Sequence, residues 1–385
     1  MASPPAEPTF PPHVYIHVPF CTGRCAYCAF YSVPHPELAR QWLPGLAAEI
    51  DRTLRGGRAK PDTLYIGGGT PTCLRENDFA ELLNCVRQRM ETEAGCEWTV
   101  ESNPDTLTPA VCALMRRAGV NRVSIGAQSF DDGVLAAAGR RHGAAAIGDA
   151  VAAARGAGFD NVGLDLIAGL PGDTPESWTR SLRRAIDLAP EHVSVYTLSI
   201  EEGSRFAQLY AAGALAPVPE EEDLRRLDEA ARLLSEAGYD HYETSNYAKP
   251  GRACRHNLGY WRGQDYIGFG PAASSRWARR RWTNEPDLAG YQRALAAGCA
   301  PPRDEETVSA VTDATERLIF ALRLDEGVSL EAGARGDEAL RHHWQRKMER
   351  LADHGLATCH DRRWRLTAAG RRIADSVAEE LIPDR

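Results

Sequence analysis

No apolar run in this 385-residue chain approaches the ~20 residues that a membrane-spanning helix needs. The first dozen residues are Pro-rich and acidic rather than basic and then apolar, so neither a signal nor a transit peptide is read there. The expectation is a soluble, cytoplasmic protein. A basic excess is also missing: the formal net charge is −8. General nucleic-acid binding, which leaves a basic footprint, is therefore not expected. Outside one loop the cysteines show no paired arrangement. Cys73, Cys85, Cys96, Cys112, Cys254, Cys299 and Cys359 are scattered, as free thiols in a reducing compartment would be. The glycine-rich turn lacks the Lys-Ser/Thr of a phosphate loop.

Against these absences stands one dense stretch, Tyr15 to Phe30, with Cys21, Cys25 and Cys28 at spacing C-x3-C-x2-C. It follows a short apolar strand that Pro19 ends. Three thiolates on one loop can face one centre, and thiolates suit iron–sulfur clusters and zinc. A closed structural metal takes four ligands. Three, with no fourth cysteine nearby, leave a position open for a ligand. A zinc knuckle completed by His17 is the alternative.

Strands and helices then alternate. Apolar residues four apart at Leu38, Trp42, Leu46 and Ile50 predict a helix. Strands are predicted at 63–66, 98–101, 122–126, 162–168 and 192–200, with helices between them. Six such βα units argue for a parallel sheet with covering helices, curled into a closed or open barrel. Chemistry-bearing residues gather at the strand ends, where barrel enzymes place their sites. Residues 239–282 read as an irregular aromatic stretch. From Asp304 the order is helix, helix, hairpin and helix, which suggests a small winged-helix-like unit. The expected division is a disordered 1–12, a barrel over 13–240, a region over 241–300 that carries the His256 motif and packs on the barrel, and the C-terminal unit over 301–385.

Gly67-Gly-Gly-Thr-Pro71 is a tight turn whose amides would be left free for a ligand. Glu101 closes a strand and can accept from ribose hydroxyls. Gln128 can donate and accept at the same rim, and Arg140 can clamp a carboxylate. Asp165 lies in an apolar strand, where an acid is costly unless paired. A second constellation is Cys254-Arg-His256-Asn257-Leu-Gly-Tyr260-Trp261. A neutral His256 nitrogen can ligate iron, and Cys254 could be an axial or covalent partner. Tyr260 and Trp261 offer flat faces to a macrocycle, and Arg279 to Arg281 could pair with propionates. An aromatic cluster closing the barrel end is the other reading of this stretch, and a solvated hairpin that of the arginines.

The cysteine loop, with Tyr27 before its last cysteine, resembles the signature of the radical S-adenosylmethionine (SAM) superfamily. With Gly-Gly-Gly-Thr-Pro, Glu101-Ser-Asn-Pro, Ser124-Ile-Gly-Ala-Gln-Ser-Phe and Asp165-Leu-Ile-Ala-Gly-Leu-Pro-Gly, the resemblance extends to the coproporphyrinogen-dehydrogenase-like branch and covers nearly the whole chain. It implies a partial (β/α)6 radical SAM barrel with a mostly helical, winged-helix-like C-terminal domain. It also implies a [4Fe–4S] cluster on Cys21, Cys25 and Cys28, with SAM contacted by Tyr15, Gly68 and Glu101. Tyr27, Gly69, Thr70, Gln128, Arg140 and Asp165 match positions that contact a second SAM in the oxidases of the branch. His256-Asn257-x-x-Tyr260-Trp261 matches a motif linked to haem in the branch's haem chaperones. Phe30 stands where the oxidases carry a further cysteine, which favours haem delivery over radical decarboxylation of coproporphyrinogen III. The implied partners are haem and acceptor apo-haemoproteins, those of the respiratory chain and membrane-bound acceptors met peripherally included, with a homodimer as the implied assembly.

Overall fold

The alternation is laid out as six parallel strands in chain order: β1 (His13–Val18), β2 (Thr63–Gly68), β3 (Glu97–Ser102), β4 (Arg122–Gln128), β5 (Val162–Ala168) and β6 (His192–Thr197). They come from a computed structural model that describes residues 10–92 and 95–383. The covering helices are α1 (Ala39–Leu54), α2 (Glu76–Arg89), α3 (Pro109–Ala118), α4 (Asp132–Ala137), α5 (Ala144–Gly156), α6 (Pro175–Asp187), α7 (Arg205–Ala211) and α8 (Glu220–Glu236).

Local chemistry sets several boundaries. Thr108 caps α3 by accepting from the Val111 amide, Pro109 opens it, and Gly119 ends it at φ +103°. Thr174 and Ser177 form a reciprocal box around the start of α6. The strands alternate. Val14, Ile16, Leu64, Ile66, Trp98, Val100, Val123, Ile125, Leu164 and Val193 join the helices in one apolar core. The residues between them are polar: His13, Tyr15, Thr63, Tyr65, Thr99, Glu101, Arg122, Ser124, Asp165, His192 and Ser194. Successive side chains leave a strand on opposite faces, so the barrel interior is a polar chamber rather than a packed core.

Residues 239–282 are ordered, contrary to the expectation of irregularity. β7 (Asp240–His241) and β8 (Asn246–Ala248) extend the sheet antiparallel beyond β6. On the other edge β9 (Tyr266–Phe269) pairs parallel with β1, followed by antiparallel β10 (Ser274–Trp277), β11 (Arg280–Asn284) and β12 (Arg303–Thr307). These strands hold two to five residues, and β11 is charged, so no apolar period announces them. Its arginines are paired within the protein: Arg280 with Glu305, Arg281 with Glu306 and Glu316. Arg280 and Arg281 would have to leave these partners to meet propionates. Between the extensions, α9 (Arg255–Trp261) enters the barrel, and α10 (Leu288–Ala296) packs on α1.

The C-terminal unit has its own core around Leu318, Trp344, Met348, Trp364 and Leu381. It runs α11 (Ala310–Ala321), α12 (Leu330–Ala334), α13 (Glu338–Asp353), the hairpin β13 (Ala357–His360) with β14 (Arg363–Leu366), then α14 (Ala368–Arg372) and α15 (Ala374–Leu381). Three helices followed by a hairpin is the order of a winged helix. Of the N-terminal dozen expected to be disordered, residues 1–9 lie outside the described residues. Phe10 packs edge-on against Trp277 at 6.0 Å, and the Pro12 carbonyl accepts from the Asp62 and Thr63 amides.

Candidate functional site: a cysteine loop over a polar barrel

The cysteine loop is bolted to the glycine turn by backbone. The Gly69 amide donates to the Val18 carbonyl at 2.8 Å, and the Thr70 amide to the Phe20 carbonyl at 2.7 Å. The Gly68 amide donates to Glu101 Oε2 at 3.2 Å. The expectation of amides left free for a ligand is therefore corrected, because all three are occupied. The glycines serve close approach instead. Gly68 has φ +105°, and a Cβ on Gly69 would lie 2.2 Å from the Phe20 carbonyl oxygen.

Cys21, Cys25 and Cys28 line one cavity of about 570 Å³ at the C-terminal ends of the strands. Donors aim at two of the sulfurs. Thr70 Oγ1 accepts from the Asn103 side-chain Nδ2 at 2.9 Å and is free to donate to Cys21 Sγ at 3.3 Å. Arg140 Nη1 donates to Cys25 Sγ at 3.4 Å. Both favour a thiolate ligand. Burial pushes the Cys28 thiol up, and the Cys25 and Cys21 sulfurs add to that. His17 does not join them: Nε2 donates to the Tyr31 carbonyl at 2.8 Å, and Nδ1 accepts from Tyr15 Oη at 3.2 Å. Among the described residues no group of three or more His, Cys, Asp or Glu is placed to hold a metal ion. An iron–sulfur cube spreads its thiolates over separate irons. Three thiols around one open cavity fit that group better than a single zinc.

The rest of the cavity wall fits an organic guest. Gln128 sits at a register shift between β4 and β5 with φ +65°. Among the described residues its buried Oε1 has no partner, although it lines the cavity. Strain and an orphaned acceptor at one residue are features of a ligand contact. Arg140 is held by Asn103 Oδ1 at 2.7 Å, the Gly126 carbonyl at 2.6 Å and Tyr27 Oη at 3.3 Å. Asp165 accepts from Ser194 at 2.7 Å and Ser124 at 3.3 Å, and burial raises its carboxyl against those bonds. Glu101 accepts from Tyr65 Oη at 2.7 Å. Tyr15 lines a different cavity.

Burial pushes the Glu101 carboxyl from 4.5 up to about 7, against its bonds from Tyr65 and Gly68. The folded chain keeps this proton where the unfolded chain loses it. This group therefore makes stability fall as pH rises from about 4.5 to about 7, with no further change above. Urea midpoints across that window should show the fall in the natural protein and a flatter profile in Glu101→Gln.

The second constellation is split by α9. Glu97 accepts from the Arg255 and His256 amides, each at 3.0 Å, and so holds the start of the helix inside the barrel. His256 is 1% exposed. Its Nδ1 lies 2.7 Å from Thr63 Oγ1, its Nε2 lies 2.9 Å from Tyr260 Oη, and its ring stacks on Tyr65. Both nitrogens are engaged, so the iron-ligand reading gives way to a plug. Cys254 is fully buried against Glu97, its thiol pushed up to about 12 by burial, which does not suit a haem partner. Asn257 faces the cysteine cavity. Tyr260 and Trp261 line a second cavity of about 530 Å³ with Tyr15, Tyr31, Tyr266 and Phe320. Phe30, 69% exposed, borders both. Residue-by-residue reading missed Asn103, Arg122, Ser124, His192, Ser194 and Arg276. The polar alternation Arg122-x-Ser-x-Gly-x-Gln128 was a legible signal for two of them.

A profile of the radical SAM superfamily matches residues 15–185, and one of the HemN C-terminal domain matches 308–373. "Heme chaperone HemW" of Mycobacterium tuberculosis is 37% identical over 96% of this chain and 94% of its own. The protein of the same name from Bacillus subtilis is 32% identical over 94% and 97%. Among solved structures, coproporphyrinogen III oxidase (HemN) from Escherichia coli, a radical SAM enzyme, superposes with TM-score 0.84 at 24% identity. That match covers 98% of this chain and 91% of the oxidase, and is a likeness of fold.

Proposed function

The chain belongs to the HemW family of the radical SAM superfamily, and from that premise we propose that it is a haem chaperone that binds haem and delivers it to acceptor haemoproteins. Cys21, Cys25 and Cys28 would hold a [4Fe–4S] cluster. When bound, the cluster supplies an iron with an open position for the amino and carboxylate groups of SAM. Gln128, Arg140, Asp165 and Glu101 orient the rest of that guest. Gln128 offers its unpartnered carbonyl, and Arg140 also steadies the Cys25 sulfur.

The observation that carries the haem reading is the aromatic cavity. It puts Tyr260 and Trp261 on the largely apolar wall of a cavity of about 530 Å³, bordering the cysteine cavity at Phe30. Flat aromatic faces suit a porphyrin plane. An axial ligand from His256 would require breaking its bonds to Thr63 and Tyr260, so the binding mode we favour is stacking by the tyrosine and tryptophan. Among the described residues no helix is long and apolar enough to cross a membrane. We place the protein in the cytoplasm, as a homodimer meeting respiratory-chain acceptors by peripheral contact.

Haem titration of the anaerobically reconstituted protein tests this. Saturable binding, weakened by about tenfold in Trp261→Ala, and transfer to an apo-acceptor are expected. Binding no better than a nonspecific control rejects the reading.

A further inference from the structure

Ala29 and Phe30 line both the cysteine cavity and the aromatic cavity, so the end of the cysteine loop stands between the two. At 69%, Phe30 is the most exposed large apolar side chain among the described residues. A single exposed apolar residue is ordinary on a protein surface. Here, however, the backbone on either side of it is fixed. The Phe30 amide bonds the Cys28 sulfur. Arg24 Nε donates to the Cys28 carbonyl at 3.1 Å. On the other side, the Tyr31 carbonyl accepts from His17 Nε2 at 2.8 Å, and Tyr31 Oη accepts from the Leu288 amide at 2.8 Å. The ring is thus held out in water from a pinned stretch of chain.

Other rings of the aromatic cavity already have partners. Tyr260 meets Tyr266 edge-on with centroids 4.5 Å apart, and Trp261 meets Phe320 edge-on at 6.3 Å. Tyr31 lies tilted over His17 at 6.5 Å. Phe30 joins none of these pairs. Of the two cavities it borders, the cysteine cavity presents Glu101, Gln128, Arg140 and Asp165, which offer a phenyl ring nothing apolar to cover it. The aromatic cavity has a largely apolar wall. An apolar guest seated there would take the Phe30 ring out of water, with a gain that grows with the area covered. A flat guest would add the preference of aromatic rings for offset or edge-on contact.

We propose that Phe30 is a contact residue of the haem site, its ring packing on the macrocycle that Tyr260 and Trp261 hold, so that the loop carrying the three thiols also closes one side of that site. The inference rests on the haem-chaperone reading and adds to it a wall contributed by the cysteine loop. Through its amide the same residue touches Cys28, so the two sites have one residue in common.

Haem titration of the anaerobically reconstituted full chain, natural and with Phe30→Ala or Phe30→Tyr, tests this. Phe30→Ala should weaken haem binding about tenfold. Phe30→Tyr keeps the flat ring and should stay within about threefold of the natural protein. Both variants should keep the natural urea midpoint, because the ring is mostly in water in the folded chain. Both should also keep the change that SAM makes in the cluster spectrum. If the natural protein binds no haem, the chaperone reading itself fails. If it binds haem and Phe30→Ala binds it as tightly, that reading stands and the Phe30 contact does not. A loss of haem that Phe30→Tyr does not restore, or that comes with a lowered urea midpoint, overturns the contact equally. So does a loss of the SAM response in place of haem binding.

Discussion

Gly69→Ala should strip the protein of most of its iron. The added methyl would lie 2.2 Å from the Phe20 carbonyl oxygen, against backbone that cannot swing aside. Relief requires parting the Thr70 amide from that carbonyl and moving the turn that carries Thr70 away from Cys21. Overpacking of this kind costs about 3 kcal/mol, and here the displaced element aligns Cys21, one of the proposed cluster ligands. Urea unfolding should show the loss. Iron bound per chain after anaerobic reconstitution should fall far below that of the natural protein. Iron content close to natural would mean that the glycine turn does not position the cysteines.

Asp313→Ala should destabilise the join between the barrel and the C-terminal unit. Asp313, 1% exposed at the start of α11, holds three arginines: Arg276 at 2.6 Å, Arg317 at 3.0 Å and Arg335 at 3.4 Å. Burial pushes its carboxyl up, but Arg317, Arg276 and Arg335 outweigh burial and hold it below 3.8. Removing it takes from the buried Arg276 its closest carboxylate and leaves only Glu316 at 3.9 Å, at about 3 kcal/mol. With its folded pKa depressed, Asp313 contributes stability above the unfolded pKa and loses it as pH falls through the folded one. The gap between natural and variant proteins should therefore be widest near neutrality and narrow in acid. Arg276 and Phe320 both line the aromatic cavity, so haem affinity should fall along with stability. An unchanged urea midpoint at neutral pH would contradict this role for Asp313.

The parts legible in the sequence are those decided locally. The span Val162–Ala168 of β5 and the span Pro109–Ala118 of α3 follow from an apolar run and from a Thr-Pro start with a glycine stop. The cysteine loop follows from spacing alone. What stayed hidden depends on partners far along the chain. His256 looked like a free ligand because Thr63, its partner 193 residues away, is invisible to local reading. The glycine turn looked ligand-binding because nothing nearby shows its amides reaching the cysteine loop. The split of Asn257 from Tyr260 and Trp261 between two cavities comes from setting a helix inside a barrel, which periodicity does not reveal. β9 and β10 escaped because each holds only four residues, and β11 and β12 because charged strands paired by arginine and glutamate carry no apolar alternation.

In the proposed function, the three thiols of one loop would hold an iron–sulfur cube with one corner open, and the rest is built on that. The direct measurement is anaerobic reconstitution followed by iron, sulfide and zinc analysis, with SAM added to the product. Iron and inorganic sulfide are expected in equal amounts, about four of each per chain. SAM should perturb the cluster spectrum, and a Cys21→Ala, Cys25→Ala, Cys28→Ala protein should lose both iron and sulfide. Zinc without sulfide, or a cluster that survives loss of the three cysteines, would contradict it.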